Sequence, residues 1–181
     1  MATFSSSFSC TSSSQNFLDG VNYSLSKLGM SHIKVKDQQK QAILAAYNGK
    51  DVFVFLPTGF GKSVCFQILP FLFDHKLGLT DGTKKKCVIV VSPLVSLMVD
   101  QVRSLKRKGI HAVVISSNSS ENSVVDREFR ATENNLTTAS HVFSSPEALT
   151  HTKWREALEN PLVSNCVCAV AIDEAHCVSK W

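Results

Sequence analysis

The sequence predicts an α/β protein in which one parallel β-sheet lies between two layers of helices. Short apolar runs alternate with segments of helical spacing, and consecutive apolar residues are typical of strands that are buried on both faces. Hydrophobic residues make up 44% of the 181 residues, which is enough for one substantial core. We expect a disordered serine-rich tail over residues 1–16, with a transit peptide as the alternative, followed by one domain over residues 17–181.

Hydrophobic periodicity and helix-stopping residues define the predicted elements. The predicted helices cover residues 17–28, 37–47, 62–73, 94–108, 124–132 and 154–159. The predicted strands cover residues 51–56, 87–91, 112–115, 141–143 and 167–172. This alternation is expected when helical crossovers connect the strands of a parallel sheet.

Charge and cysteine content exclude few functions. The net charge of +4 suits a polyanionic partner, but it also suits many proteins that never bind nucleic acid. The six cysteines include no C-x-x-C pair, so we expect free thiols in a reducing, intracellular compartment. A zinc site from Cys166, Cys168, His176 and Cys177 is the alternative. No apolar run is long enough to span a membrane, and the N-terminus has no signal-peptide pattern.

A glycine-rich segment between predicted strand 51–56 and predicted helix 62–73 has the composition of a phosphate-binding loop. It reads Thr58-Gly59-Phe60-Gly61-Lys62-Ser63. Glycines let successive N–H groups point inward, and the start of the helix adds a partial positive charge. Lys62 would reach the β- and γ-phosphates of ATP, and the Ser63 hydroxyl would bind Mg²⁺. The full pattern has glycine where this chain has Leu56, and an incidental glycine-rich turn is the alternative.

Two adjacent carboxylates, Asp173 and Glu174, follow the last predicted strand. They lie at its C-terminal end, the edge at which open α/β sheets bind ligands. Asp173 would hold Mg²⁺, and Glu174 would orient and deprotonate the attacking water. A helix N-cap is the alternative for Asp173, but it explains only one of the two acids. The joint occurrence of this pair and the phosphate-loop pattern favours ATP hydrolysis.

Three longer segments carry a family likeness. Residues 56–67 read LPTGFGKSVCFQ, residues 91–102 read VSPLVSLMVDQV, and residues 173–181 read DEAHCVSKW. They resemble motifs I, Ia and II of RecQ-type DEAH-box DNA helicases of superfamily 2. The resemblance implies the first RecA-like domain, a P-loop NTPase fold, of an ATP-dependent 3′-to-5′ DNA helicase that uses ATP and Mg²⁺. Phe60, where the family commonly has glycine, departs from this pattern.

The same resemblance implies which residues contact adenine and DNA. Residues 35–43 (VKDQQKQAI) are similar to the adenine-recognising segment, which makes Gln39 the candidate for the adenine contact and Gln38 the alternative. The family's single-stranded DNA contacts fall on Ser92, Pro93, Leu94, Ser145, Pro146 and Trp181. Because both loops follow strands of one parallel sheet, a DNA strand across their shared edge is geometrically reasonable.

The resemblance also implies a partner domain and a cellular setting. Motif III and a second RecA-like domain with an arginine finger would follow Trp181, in a nuclear protein of DNA repair and recombination. In that fold the motif III strand lies between predicted strands 51–56 and 167–172. We therefore expect residues 1–181 alone to aggregate readily, to bind nucleotide weakly and to hydrolyse it slowly. An RNA-directed DEAH-type helicase and a non-catalytic nucleotide- or nucleic-acid-binding module are the alternatives.

Overall fold

The computed structural model of the chain describes residues 8–57, 59–79, 85–115 and 129–174. Its elements are numbered here along the chain. The helices are α1 (Phe8–Lys27), α2 (Asp37–Tyr47), α3 (Lys62–Gln67), α4 (Leu69–Lys76), α5 (Val95–Arg107), α6 (Glu133–Leu136), α7 (Pro146–Thr150), α8 (Thr152–Glu159) and α9 (Pro161–Ser164). The strands are β1 (Cys87–Val91), β2 (Ala112–Ile115), β3 (His141–Ser144) and β4 (Val167–Ile172).

The four strands form one parallel sheet in the order β2-β3-β1-β4. Val91, the last residue of β1, pairs with Ser144 on one side and with Ile172 on the other. Because the strands run in the same direction, their carboxyl ends lie at one edge of the sheet. The residues that follow β1, β3 and β4 are therefore neighbours in space.

Two apolar cores cover the two faces of the sheet. Val88 and Val90 of β1 belong to a core that includes side chains of α1, α2, α4 and α5. Ile89 belongs to a second core, which includes side chains of α8 and α9. Alternate residues of β1 thus face opposite layers of helices, and burying each such side chain contributes about 1.5–3 kcal/mol. The predicted three-layer α/β fold is confirmed.

Most predicted elements agree with the structure, but two predicted helices have different bounds. Helix α1 begins at Phe8, so residues 8–16, which the composition assigned to a disordered tail, are helical. The core contacts of Phe17, Val21 and Leu25 anchor this helix, and propagation from an anchored helix is easy. The predicted helix 62–73 is divided at Ile68, where Pro70 occupies the first turn of a new helix. The predicted helix 124–132 lies mostly outside the described residues.

The predicted strand 51–56 is wrong, because residues 51–57 form neither strand nor helix. Phe53 and Phe55 are 81% and 91% exposed. Among the described strands, β4 pairs only with β1, and its residues Val170 and Ile172 are 61% and 48% exposed. An apolar run becomes a buried strand only where neighbours cover it, and none of the described strands pairs with this run. The two exposed surfaces belong to the segments between which the resemblance places a further strand.

We expect the 181-residue chain to self-associate through these surfaces, because unpaired strand edges and large exposed apolar side chains promote association. The double substitution of Phe53 and Phe55 by serine should increase the monomer fraction in sedimentation velocity. The melting temperature should stay within about 2 °C, since neither ring packs in the core. Phe17→Ser, at a buried ring, is the contrasting variant and should lower the melting temperature. A parent chain that is monomeric and melts cooperatively would contradict this expectation.

A buried carboxylate connects α4 to the start of β1. The Asp74 side chain in α4 is buried, and its Oδ1 accepts a hydrogen bond of 2.7 Å from the backbone N–H of Lys86. Burial raises the pKa of Asp74 to about 6, while this hydrogen bond and the charges of Lys85 and Lys86 lower it. Since an unfolded aspartate titrates near pH 4, the folded state holds this proton more tightly than the unfolded state. The stability that the protonated carboxyl contributes is lost as the pH rises from about 4 to about 6.

Asp74→Asn, which is neutral at every pH, should therefore become more stable relative to the parent as the pH rises. We expect the difference in unfolding free energy to change by about 1–3 kcal/mol between about pH 4 and pH 7 in urea titrations. Asp51→Asn, at an exposed side chain, controls for the loss of one charge. A difference between Asp74→Asn and the parent that does not vary with pH would show that the carboxyl is not protonated preferentially in the folded state.

Candidate nucleotide and DNA site

The segment before α3 has the backbone conformation that a phosphate-binding loop requires. Gly59 and Gly61 have φ angles of 79° and 85°, which side-chain-bearing residues rarely adopt. Gly61 is the N-cap residue of α3, so Lys62 and Ser63 occupy the first positions of that helix. Their backbone N–H groups have no partner one turn earlier in the helix and are available to an anion. Thr58 lies outside the described residues.

The predicted phosphate-binding lysine contacts the entrance of the same loop. Lys62 Nζ donates a hydrogen bond of 3.1 Å to the carbonyl of Leu56. A phosphate oxygen is a stronger acceptor than a neutral carbonyl, so a bound phosphate would compete for this ammonium. The ring of Phe60 lies beneath a second cation, because Lys36 Nζ is 3.7 Å from its centroid. The sequence analysis did not predict this cation–π contact between Lys36 and Phe60. The aromatic residue at position 60, where the family commonly has glycine, was the signal that could have indicated it.

The predicted adenine-binding amide, Gln39, is buried and contacts the phosphate loop itself. Its Nε2 donates hydrogen bonds of 3.0 Å to the carbonyls of Phe60 and Gly61. Its Oε1 accepts a hydrogen bond of 2.9 Å from the backbone N–H of Lys36, which caps the start of α2. The donor and the acceptor of the amide are thus both engaged. The side chain of Gln38, the alternative, is exposed.

The two predicted carboxylates follow β4 directly, and both residues are half-buried. The backbone N–H of Asp173 donates a 2.8 Å hydrogen bond to the carbonyl of Val91, which extends the pairing of β4 with β1. Burial and then the neighbouring Glu174 carboxylate raise the pKa of Asp173, whereas the Glu174 backbone and the Lys62 ammonium lower it. The phosphate loop and the acidic pair therefore interact electrostatically.

The backbone at Glu174 is strained. Its φ of 59° makes it the one non-glycine residue with a positive φ in the part of the chain that the structure describes. A left-handed conformation costs a residue with a Cβ about 1–2 kcal/mol. Strain of this kind persists where surrounding structure imposes it, and it concentrates at functional sites. The turn holds two carboxylates next to each other at the carboxyl end of β4.

The two segments predicted to contact DNA are hydrogen-bonded neighbours. The backbone N–H of Ser92 donates to the carbonyl of Ser144 at 2.9 Å. Ser92 is 2% exposed, and its Oγ has no hydrogen-bond partner among the described residues. The Ser145 Oγ accepts from the Ala148 N–H at 3.3 Å and caps α7, so this hydroxyl already has a structural role.

The remaining predicted DNA contacts are less closely grouped. Pro93 is half-buried, and Leu94 is exposed at the residue before α5. Pro146 begins α7. Trp181 lies outside the described residues, and its predicted contact remains untested.

The described cysteines carry free thiols at Cys65, Cys87, Cys166 and Cys168. Burial raises the pKa of Cys87 to about 12, with the neighbouring Cys166 contributing further, so this thiol stays protonated near neutral pH. Within the described ranges, no group of three or more potential metal ligands is present. His176 and Cys177 fall outside those ranges, so the alternative zinc site is not tested.

Comparison with known proteins agrees with this geometry. Residues 36–181 match the family model of the DEAD/DEAH box helicases. The chain belongs to this family. The match begins at Lys36, which caps α2, and includes Gln39, the phosphate loop and the acidic pair. Across the described residues of this family member, no helix is long and apolar enough to cross a membrane.

The similar curated proteins are named ATP-dependent helicases, and several of them are named RecQ, the type that the sequence motifs resemble. The ATP-dependent helicase wrn-1 of Caenorhabditis elegans is 36% identical over 176 residues, which are 96% of this chain and 14% of the relative. The ATP-dependent helicase SGS1 of Saccharomyces cerevisiae is 39% identical over 147 residues, 81% of this chain and 10% of the relative. The ATP-dependent DNA helicase RecQ of Bacillus subtilis is 36% identical over 151 residues, which are 82% of this chain and 22% of the relative. The chain thus spans between 10% and 22% of the length of these three relatives.

Gly61 provides a test of the loop geometry in this helicase-family chain. A Cβ at this position would lie 2.9 Å from Gln39 Nε2, in addition to the strain of the positive φ. Gly61→Ala should therefore destabilise the chain by more than the roughly 1–2 kcal/mol that a positive φ alone costs a residue with a Cβ. The measurement is the free energy of unfolding in urea.

Gly109→Ala is the matched control, because Gly109 has a φ of 74° and no atom within 4 Å of the added Cβ. The excess destabilisation at Gly61 should largely disappear in a Gln39→Ala background, where the amide is absent. Equal losses for the two glycine substitutions would show that Gln39 does not lie against the loop.

Proposed function

We propose that this chain forms the nucleotide-binding part of an ATP-dependent 3′-to-5′ DNA helicase that acts inside the cell, in the nucleus. The proposal is supported by the family and by relatives that are named ATP-dependent DNA helicases. The observation that carries it is the phosphate-loop backbone at the start of α3, where Gly59 and Gly61 have φ angles of 79° and 85°, together with an acidic pair directly after β4. The polarity follows from the resemblance to RecQ-type motifs.

ATP binding would use the loop at the start of α3. The backbone N–H groups of residues 59–63 and the Lys62 ammonium would hold the phosphates. Phosphate binding would release Lys62 from the carbonyl of Leu56. Gln39 would hydrogen-bond adenine through the amide that now contacts Phe60 and Gly61, so adenine binding would alter the support of the loop.

The acidic pair also suits a divalent cation. Burial and the Glu174 charge both raise the pKa of the Asp173 carboxyl, so a cation beside these oxygens would relieve an unfavourable arrangement. Hard oxygen donors are the ligands that Mg²⁺ prefers, and we assign Asp173 and the Ser63 hydroxyl to it. When bound, Mg²⁺ supplies positive charge to the β- and γ-phosphate oxygens. Glu174 would orient the attacking water and accept its proton.

DNA would lie along the edge formed by the segments after β1 and β3. The Ser92 hydroxyl is buried without a hydrogen-bond partner among the described residues, and burying an unpaired hydroxyl is unfavourable. A phosphate oxygen of a single strand would satisfy it, together with backbone N–H groups of residues 92–94. Such contacts position the strand and do not discriminate between bases.

A second RecA-like domain is a further part of the proposal. Phosphoryl transfer needs a positive group opposite the phosphate loop, and in related systems such a group contributes roughly 10³–10⁵ in rate. Among the described residues, Lys62 is the cation whose charge acts on Asp173, but its ammonium is already hydrogen-bonded at the phosphate loop. We therefore expect the chain by itself to bind nucleotide far better than it hydrolyses it.

Lys62→Ala tests the assignment of the phosphate loop. The loss of this ammonium should weaken binding of a fluorescent ATP analogue in the presence of Mg²⁺ by roughly 10-fold or more, because a charge-assisted contact is removed. Fluorescence anisotropy on the 181-residue chain is the measurement. Lys27→Ala, at an exposed lysine of α1, should bind as tightly as the parent.

The same chain should bind labelled oligo-dT, and Lys62→Ala should leave that affinity within about twofold, since the hydrogen bond of Lys62 is to the carbonyl of Leu56 at the phosphate loop. Preference for oligo-U over oligo-dT would support an RNA-directed helicase instead. Equal affinity of Lys62→Ala and parent for the ATP analogue would refute the proposed nucleotide site.

A further inference from the structure

One residue at the far end of the phosphate-loop helix contacts two elements, α5 and β3, that are adjacent in sequence to the segments that we assign to DNA. Helix α3 runs from Lys62 to Gln67, with the phosphate loop at its start. Six residues of α-helix span about 9 Å and move as a rigid unit, so a shift of the loop displaces Gln67 as well. Gln67 is half-buried and participates in two hydrogen bonds that leave its own helix.

The first hydrogen bond connects Gln67 to α5. Gln67 Nε2 donates to Gln101 Oε1 at 3.1 Å. Helix α5 begins at Val95, directly after the Ser92–Leu94 segment, and its apolar face is held in the core by Met98 and Val102. A displacement of Gln67 would therefore shift α5, the helix that begins directly after the Ser92–Leu94 segment.

The second hydrogen bond connects Gln67 to β3. The carbonyl of Gln67 accepts a hydrogen bond of 3.0 Å from Nε2 of His141, the first residue of β3. Since a carbonyl only accepts, Nε2 carries the proton, and Nδ1 is left to face the Ser140 hydroxyl at 2.9 Å. Burial lowers the pKa of His141 to about 4, so the ring stays neutral and this arrangement persists near neutral pH.

Both connections lead to the same edge of the sheet. Strand β3 ends at Ser144, whose carbonyl accepts from the N–H of Ser92, and Ser145 follows. Gln67 thus contacts the beginning of one DNA-facing strand by its backbone and the helix after the other segment by its side chain. The last residue of β3, Ser144, is in turn hydrogen-bonded to Ser92, which lies three residues before the start of α5.

We propose that Gln67 is a positioning residue that couples nucleotide binding at the phosphate loop to DNA binding at the Ser92 and Ser144 edge. The inference rests on the proposed function, because it needs both ligands to bind this chain. Gln67 touches neither ligand. It acts through Gln101 and His141, and its side-chain hydrogen bond is the part that substitution can remove without disturbing the loop.

The measurement is the affinity of the 181-residue chain for a non-hydrolysable ATP analogue with Mg²⁺, with and without saturating oligo-dT. Coupled sites commonly change each other's affinity by about 5-fold or more. Gln67→Met keeps the length of the side chain but cannot hydrogen-bond to Gln101. We expect the ratio of the two affinities to fall close to one in Gln67→Met, while the affinity for each ligand alone changes by less than about twofold.

Two further variants separate coupling from packing. Gln67→Glu should retain most of the coupling, because the Gln101 amide can rotate and donate to the carboxylate. Gln15→Ala, at an exposed glutamine of α1, should match the parent. Circular dichroism melting shows whether each variant is folded, and a purely structural role of Gln67 predicts equal coupling in the Met and Glu variants.

Each outcome decides one question. Coupling that is lost in Gln67→Met and kept in Gln67→Glu supports the inference. Coupling that survives in Gln67→Met, or a parent chain that binds both ligands independently, overturns the inference and leaves the proposed function intact. A parent chain that binds neither the ATP analogue nor oligo-dT overturns the proposed function itself.

Discussion

The carboxyl end of β1 is the constraint on which the site depends. The carbonyl of Val91 accepts the N–H of Asp173, and the next residue, Ser92, donates its N–H to the carbonyl of Ser144. β1 is buried along its whole length between β3 and β4, so these backbone groups have no water to bond to and must be paired. Val91 at the end of β1 and Ser92 directly after it therefore fix both the acidic pair and the edge to which we assign DNA.

The phosphate loop is held by a second set of contacts, which come from the N-terminal side of the chain. Gln39 donates to two loop carbonyls and Lys62 to a third, so the polar groups of the loop satisfy one another. Each such hydrogen bond contributes about 0.5–1.5 kcal/mol, which a charged phosphate readily exceeds as a partner. Gln39 and Lys62 thus support the described part of the loop, and nucleotide binding would exchange these internal contacts for contacts to phosphate and adenine.

The sequence is a good guide where a residue's role depends on its immediate neighbours along the chain. The bounds of α2, β1, β2 and β4 agree with the predicted elements, because their periodicity and stop signals are local. The glycines of the phosphate loop have the positive φ angles that their positions require. The position of the acidic pair at the carboxyl edge of the sheet is likewise a local property, because both residues directly follow β4.

Prediction from sequence fails where burial depends on distant partners. The run 51–56 is as apolar as β1, but Phe53 and Phe55 are exposed because none of the described strands lies beside them. The two hydrogen bonds of Gln67 join residues that are far apart in the chain, so no local sequence pattern predicts them. The sequence predicts an adenine contact for Gln39, but only the three-dimensional arrangement shows that its amide supports the loop.

In the proposed function, the phosphate loop and the acidic pair form one nucleotide site that is fixed by β1. Amide hydrogen exchange of the 181-residue chain, with and without an ATP analogue and Mg²⁺, tests it most directly. We expect slower exchange at residues 59–63 and also at Asp173 and Glu174 when the nucleotide is bound, and no change in Lys62→Ala. Protection confined to the loop, with unchanged exchange at Asp173 and Glu174, would contradict the account.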